Sequence, residues 1–150
     1  MIEYFIDLLN YNHWANSLIM ESLKKNRING KALELISHII LSQIIWLQRV
    51  KNEAQSIENF WEILPINKLE NLHQASTNDW LNYLSEIDED GLNQKINYKN
   101  TKGNSYANTL SQIITHVINH SSYHRAQINM LLRQNNCQPE SIDYIVYKRN

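Results

Sequence analysis

Apolar residues along the chain recur at helical spacing in four separate stretches. In residues 2–25, Phe5, Leu8, Leu9, Ala15, Leu18, Ile19 and Leu23 repeat at the three- and four-residue intervals of one helix face. A polar segment ending in Asn29-Gly30, a turn signal, follows. In residues 31–52, Leu33, Ile36, Ile40, Ile44 and Leu47 share one face, and Leu35, Ile39, Trp46 and Val50 share another. A helix apolar on nearly all sides is a central one. Residues 53–64 read as a connection with a short helical turn that buries Phe60 and Trp61. The third helix is expected over 67–87, with Leu69, Leu72, Trp80, Leu84 and Ile87 facing inward.

The pattern then changes period. Leu92, Gln94, Ile96 and Tyr98 fall on one side of a polar stretch, and Lys102-Gly103 follows. This alternation predicts a small β-hairpin or an ordered loop. The fourth helix is expected over 110–135. It opens with Thr109-Leu110-Ser111-Gln112, which fits a capping box, and Asn135-Asn136 ends it before Pro139. The tail carries Ile142, Ile145 and Val146, so it is expected to dock on the rest. The fold class is therefore all-α, a four-helix bundle of up-down-down-up order with a short hairpin or loop before the last long helix. At 150 residues the chain fits one domain, and three Gly and two Pro favour long helices over many tight turns.

Charge excludes some partners. Fourteen basic and fifteen acidic residues leave a formal net charge of −1, with no basic block. Nucleic-acid binding draws most of its affinity from neutralised phosphates, so no nucleic-acid partner is expected. No apolar run approaches the ~20 residues of a membrane span. Residues 36–50 are interrupted by His38, Ser42, Gln43, Gln48 and Arg49. The single Cys137 cannot form an internal disulfide. The N-terminal residues show no secretory pattern, and a cytoplasmic protein without a membrane partner is expected.

Chemistry gathers on the last helix. His116, His120 and His124 follow one another at four-residue spacing, and residues i and i+4 are neighbours on a helix surface. Two imidazoles so placed can hold one ion. Three cannot, because His116 and His124 lie about 12 Å apart along the axis. At 100° per residue, His124 lies roughly 40° from the mean direction of the helix's apolar side chains, His120 about 80° and His116 about 120°. The pair His120/His124 therefore looks inward and His116 sits near the rim. The best third ligand is His38 on the most buried helix, where a free imidazole is costly without a partner. His13 and His73 are weaker candidates, and His73, in the polar stretch 70–79, is expected to be solvated. Helical histidine pairs also arise by chance. The tryptophans read as core or lid. Tyr123 and Arg125, which flank His124, are either helix-surface groups or substrate-facing ones.

These segments resemble the DinB family over almost the whole chain. Tyr11-Asn12-His13-Trp14-Ala15-Asn16 resembles its YNxWAN segment, and His38 to Trp46 resembles HxxxxExxW. His116 to Gln127 is similar to HxxNHxxxHRGQ, and the close from Pro139 through Asp143 to Tyr147 resembles the family's ending. Gln43 stands where the family often has Glu, and Ala126 where it often has Gly. The first departure is expected to alter charge around the site and the second to tighten backbone packing.

The resemblance implies a four-helix bundle, often dimeric. It also implies a divalent metal ion, commonly zinc or nickel, on His38, His120 and His124, with His116 outer-shell or structural. A homodimer acting on a small molecule is expected. Family members include thiol-dependent transferases and isomerases, metal-dependent hydrolases, and proteins without known activity. The first expectation is activation of a low-molecular-weight thiol for transfer to a small electrophile. The alternatives are a metal-dependent hydrolase, or a non-catalytic damage-inducible metal-binding protein. No carboxylate base is evident beside the histidines, which sets thiol activation ahead of the hydrolase.

Overall fold

The first long helix, α1 (Ile2–Asn26), stops because Arg27 enters the left-handed region at φ 54°. The Arg27 amide then donates to the Lys24 carbonyl and the Ile28 amide to that of Leu23. This paired closure satisfies carbonyls that the helix end leaves open. Lys24 and Lys25 in the last turn complement the helix dipole. Gly30, at φ +63°, turns the chain into α2 (Lys31–Val50). The computed structural model describes residues 1–149.

The structure is mostly helical with a small two-stranded sheet. After α2 come α3 (Ile66–Ser85), a 3-10 turn at Asp90–Asn93, strands β1 (Lys95–Lys99) and β2 (Ser105–Thr109), α4 (Leu110–Gln134) and the short α5 (Tyr144–Tyr147). The strands pair antiparallel with Ile96 opposite Asn108 and Tyr98 opposite Tyr106, the hairpin that the alternating pattern announced. Each long helix lies within a residue or two of its expected bounds. α2 ends at Val50 because Asn52 takes φ 53° and the Glu53 amide donates to the Gln48 carbonyl. α3 starts at Ile66 because the Pro65 carbonyl accepts from Lys68 and Leu69, and it ends before Ile87. α4 opens with the expected capping box: the Gln112 amide donates to Thr109 Oγ1 at 3.3 Å and the Thr109 amide to Gln112 Oε1 at 3.0 Å.

Two apolar clusters fill the interior. One includes Ile19, Leu23, Ile36, Ile39, Ile40, Leu69, Ile128 and Leu132. The other includes Phe5, Leu9, Leu47, Trp80, Leu84, Leu92, Leu110 and Ile114. Along each long helix some of the buried polar residues lie near the junction of the two sets: Asn12 and Asn16 on α1, Ser42 and Gln43 on α2, His73, Ser76 and Thr77 on α3, and Ser121, His124 and Arg125 on α4. A polar layer thus crosses the middle of the molecule. Hydrogen bonds link its members, while Asn16 Nδ2 and Arg125 Nε stay without a partner. Asn12 Nδ2 donates to Gln43 Oε1 at 3.1 Å, Gln43 Nε2 to Ser76 Oγ at 3.2 Å, and Trp80 Nε1 to the Gln43 carbonyl at 3.0 Å.

Two expectations about the connections are corrected. Residues 53–64 hold only a turn at Phe60 and Trp61, and Trp61 remains 39% exposed. The C-terminal tail docks, but Ile145 points outward at 55% exposure. Ile142 docks as expected, its carbonyl accepting from Tyr11 Oη at 2.9 Å, and Tyr144 and Tyr147 also pack on the first cluster. Tyr144 also donates to Asp7, and Lys148 pairs with the same carboxylate at 2.9 Å.

Candidate metal centre

His38 on α2 and His120 and His124 on α4 meet at the level of the polar layer. His38 Nε2 lies 3.0 Å from His120 Nε2, and His124 Nε2 lies 3.2 Å from the same atom. One nitrogen from each ring lies within 4.8 Å of the others. Nitrogens around a tetrahedral ion with bonds of 2.0–2.1 Å stand about 3.3 Å apart. The spacing fits.

Proton placement makes the case sharper. His38 Nδ1 faces the Phe60 carbonyl at 2.9 Å, and His124 Nδ1 faces Gln127 Oε1 at 2.8 Å. A carbonyl or amide oxygen only accepts, so each Nδ1 carries a hydrogen, and in the neutral ring that arrangement leaves Nε2 its lone pair. His120 Nε2 has room for one proton between two such neighbours. Burial pushes His38 below the ordinary imidazole range, with the Phe60 carbonyl opposing. Burial first, then His124, His38 and His116, pushes His120 down to about 3. Both shifts favour the neutral ring. Converging lone pairs with too few protons are what a cation satisfies. This buried triple-histidine group could hold a metal ion.

The surroundings divide into a covered side and an open one. Trp61 stacks on His38 with ring centroids 3.6 Å apart and planes 4° from parallel. On the other side lies a cavity of about 290 Å³ lined by His38 and His120 together with Ser42, Trp46, Arg49 and Glu58. Among the described residues the triple group contains no Asp or Glu. Glu58, an exposed acidic residue of the connection, nevertheless lines the cavity, where no acidic residue was expected.

His116 stays outside the group, its ring 5.5 Å from His120 and edge-on to Trp46 at 5.1 Å. His73 is not solvated. It is fully buried at 0% exposure and stacks on His13 at 4.6 Å. The polar stretch around it conceals one inward helix face, carried by Leu69, His73, Ser76, Thr77 and Trp80. Arg125 faces neither solvent nor a substrate. At 1% exposure it donates to Asn16 Oδ1 at 2.9 Å, to Ser122 Oγ at 2.9 Å and to Asn12 Oδ1. Gln43 shares that network through Asn12 and is not bonded to the histidines. Ala126 is exposed.

The sequence reading missed three groups: the Phe60 carbonyl, the Trp61 ring and the Gln127 amide. Only Gln127 left a signal, since it stands three residues after His124 and so on the same helix face.

Fold and site together define a mostly helical protein with a triple-histidine group that could hold a metal ion. The DinB family matches residues 1–150. Protein DinB of Bacillus subtilis (strain 168) is 24% identical over 165 residues, covering 98% of this chain and 95% of that protein. The chain belongs to the DinB family.

Proposed function

We propose that this DinB-family chain binds one divalent metal ion, zinc or nickel, and uses it to activate a low-molecular-weight thiol for transfer to a small electrophile. The observation that carries the reading is the convergence of three histidine Nε2 atoms beside an open cavity. Three protein ligands and an accessible fourth position are the arrangement of catalytic rather than closed structural sites. When bound, the ion would supply the charge that brings the pKa of a thiol or water toward neutrality.

The chain's own groups do the rest. His38, His120 and His124 present one ring nitrogen each to the ion. The Phe60 carbonyl and Gln127 hold the hydrogens on the Nδ1 atoms of His38 and His124, which fixes both ring orientations. Trp61 covers His38. In the transfer, the thiol loses its proton to solvent and a sulfur–carbon bond forms as the electrophile's leaving group departs with its electron pair. Glu58 favours a second reading, a metal-dependent hydrolase in which that carboxylate takes a proton from water.

The same proposal makes the chain one cytoplasmic domain that works as a homodimer on a small molecule. Among the described residues no helix is long and apolar enough to cross a membrane. An up-down-down-up order of the four long helices is supported by their pairings. Lys24 on α1 meets Glu70 on α3 while His13 meets His73, so those two run antiparallel. His38 on α2 meets His120 and His124 while Trp46 meets His116 on α4, so these do too. Ser37 on α2 meets Leu64 ahead of α3 while Gln43 meets Ser76, so α2 and α3 run parallel.

The test is to purify the chain without a histidine tag and measure bound metal. Glutathione-, bacillithiol- and mycothiol-type thiols are then screened with electrophilic acceptors, and ester hydrolysis is assayed in parallel. A single ion per chain, lost in His124→Ala together with thiol transfer, is expected. Metal without turnover contradicts an enzyme. Hydrolysis abolished by Glu58→Gln, without thiol transfer, establishes the second reading.

A further inference from the structure

The cavity beside the metal centre runs along α2, and its far wall holds Arg49, eleven residues beyond His38. On a helix that is ~16 Å along the axis. The arginine side chain leans back toward the helix N-terminus, and its guanidinium carbon lies 4.6 Å from the Trp46 ring centre and 5.5 Å from that of Tyr98. Two aromatic faces on two elements therefore fix this cation at the end of the cavity away from His38, where His116 also packs on Trp46.

What Arg49 lacks is an anion. Its Nε is buried without a hydrogen-bond partner. Among the described residues, the ion pairs of the structure engage Lys24, Lys31, Lys51, Lys148 and the N-terminus, and none includes Arg49. Glu58 lines the same cavity but is not within ion-pair distance. A half-buried cation with an unused donor is costly to keep. Its planar fork of N–H groups matches a carboxylate or a phosphate.

We propose that Arg49 is an oxyanion subsite, and that the ligand of the cavity is an elongated small molecule with a thiol at the histidine end and a carboxylate or phosphate at the Arg49 end. This rests on the reading of the histidines as a metal centre, and it adds the substrate class. Trp46 and Tyr98 hold the guanidinium in place, and Ile45, Ile57 and Phe60 line the path between the two ends. Neutral thiols of the same length fill the path and leave Arg49 unpaired.

Cobalt(II)-loaded protein tests this, because thiol engagement changes its visible spectrum. The probes are 6-mercaptohexanoate, its methyl ester and 6-mercaptohexyl phosphate. The wild-type chain is expected to bind the acid or the phosphate roughly tenfold or more tightly than the ester, the scale of one charge-assisted hydrogen bond. The tighter of the two anions identifies the group recognised. Arg49→Gln is expected to erase the preference with cobalt content unchanged, and Arg49→Lys to retain part of it. Equal binding of acid and ester by the wild type, or a preference that survives in Arg49→Gln, overturns the proposal. Should cobalt fail to load, the metal reading falls, and the subsite is judged separately on the metal-free chain. There the Arg49 Nε–H nuclear resonance must shift on titration with pentanedioate or inorganic phosphate. An unmoved resonance refutes the subsite.

Discussion

The Nδ1 of His124 lies 2.8 Å from the side-chain oxygen of Gln127, three residues further along α4. That contact holds the imidazole in the tautomer whose Nε2 lone pair points at His38 and His120. Groups that orient a ligand histidine in this way typically contribute a factor of about 10–100 in metal affinity. Gln127→Ala is expected to weaken zinc binding by that factor, measured by competition with a chelator, while the circular-dichroism spectrum is unchanged. An affinity within twofold of wild type would show that the amide does not orient the ring.

Arg125 is a buried cation whose hydrogen-bond partners are all neutral: Asn12, Asn16, Tyr11 and Ser122. Asn12 is the pivot, since it accepts from Arg125 and donates to Gln43. Its removal leaves a guanidinium hydrogen and an amide oxygen unpaired in the polar layer. Asn12→Ala is expected to cost about 2–3 kcal/mol in urea denaturation. A loss under about 0.5 kcal/mol, the scale of an ordinary surface change, would mean that the layer rearranges around the gap.

His73 makes stability depend on pH. Burial, then its neighbour His13, lowers its pKa to about 4, from the ordinary imidazole value of 6.5. The unfolded chain therefore binds this proton more readily than the folded one. The contribution is complete above the unfolded value and is lost as pH falls from about 6.5 toward 4, by about 3 kcal/mol in the limit. His73→Gln cannot take up the proton. Its stability is expected to fall less than that of the wild type between pH 7 and pH 4.5, by chemical denaturation at both. Parallel losses in the two proteins would place His73 in contact with water.

The capping box at the start of α4 ties the hairpin to the helix that carries two of the histidines. Thr109 is both the last residue of β2 and the cap of α4. Thr109→Ala is expected to cost about 1 kcal/mol, read as a lower melting temperature with metal content unaltered. An unchanged melting temperature would remove the cap from the account.

The long helices were legible because their cores repeat at helical spacing, and the hairpin because its pattern changes period at Leu92. The inward turn of His120 and His124 was legible for the same reason: Val117, Ile118, Ile128 and Leu132 define the buried face next to them. His73 was misread because Glu70, Gln74 and Asp79 dominate the local composition, although Leu69, Ser76 and Trp80 place it on the inner face. Phe60 and Trp61 were expected in a turn of the connection, but not beside His38. Their approach to His38 is set by an irregular connection, which has no period to read. Glu58 reaches the cavity wall from the same connection and was overlooked for the same reason. The cation at Arg49 was passed over as an interruption of an apolar run, because its meaning depends on Tyr98 arriving from the hairpin.

An anomalous-difference map from crystals of metal-replete protein tests the central claim most directly. The account predicts a single strong peak about 2.0–2.1 Å from the Nε2 atoms of His38, His120 and His124. A peak bound by other residues, or rings that pack without one in crystals grown with excess zinc or nickel, would contradict it.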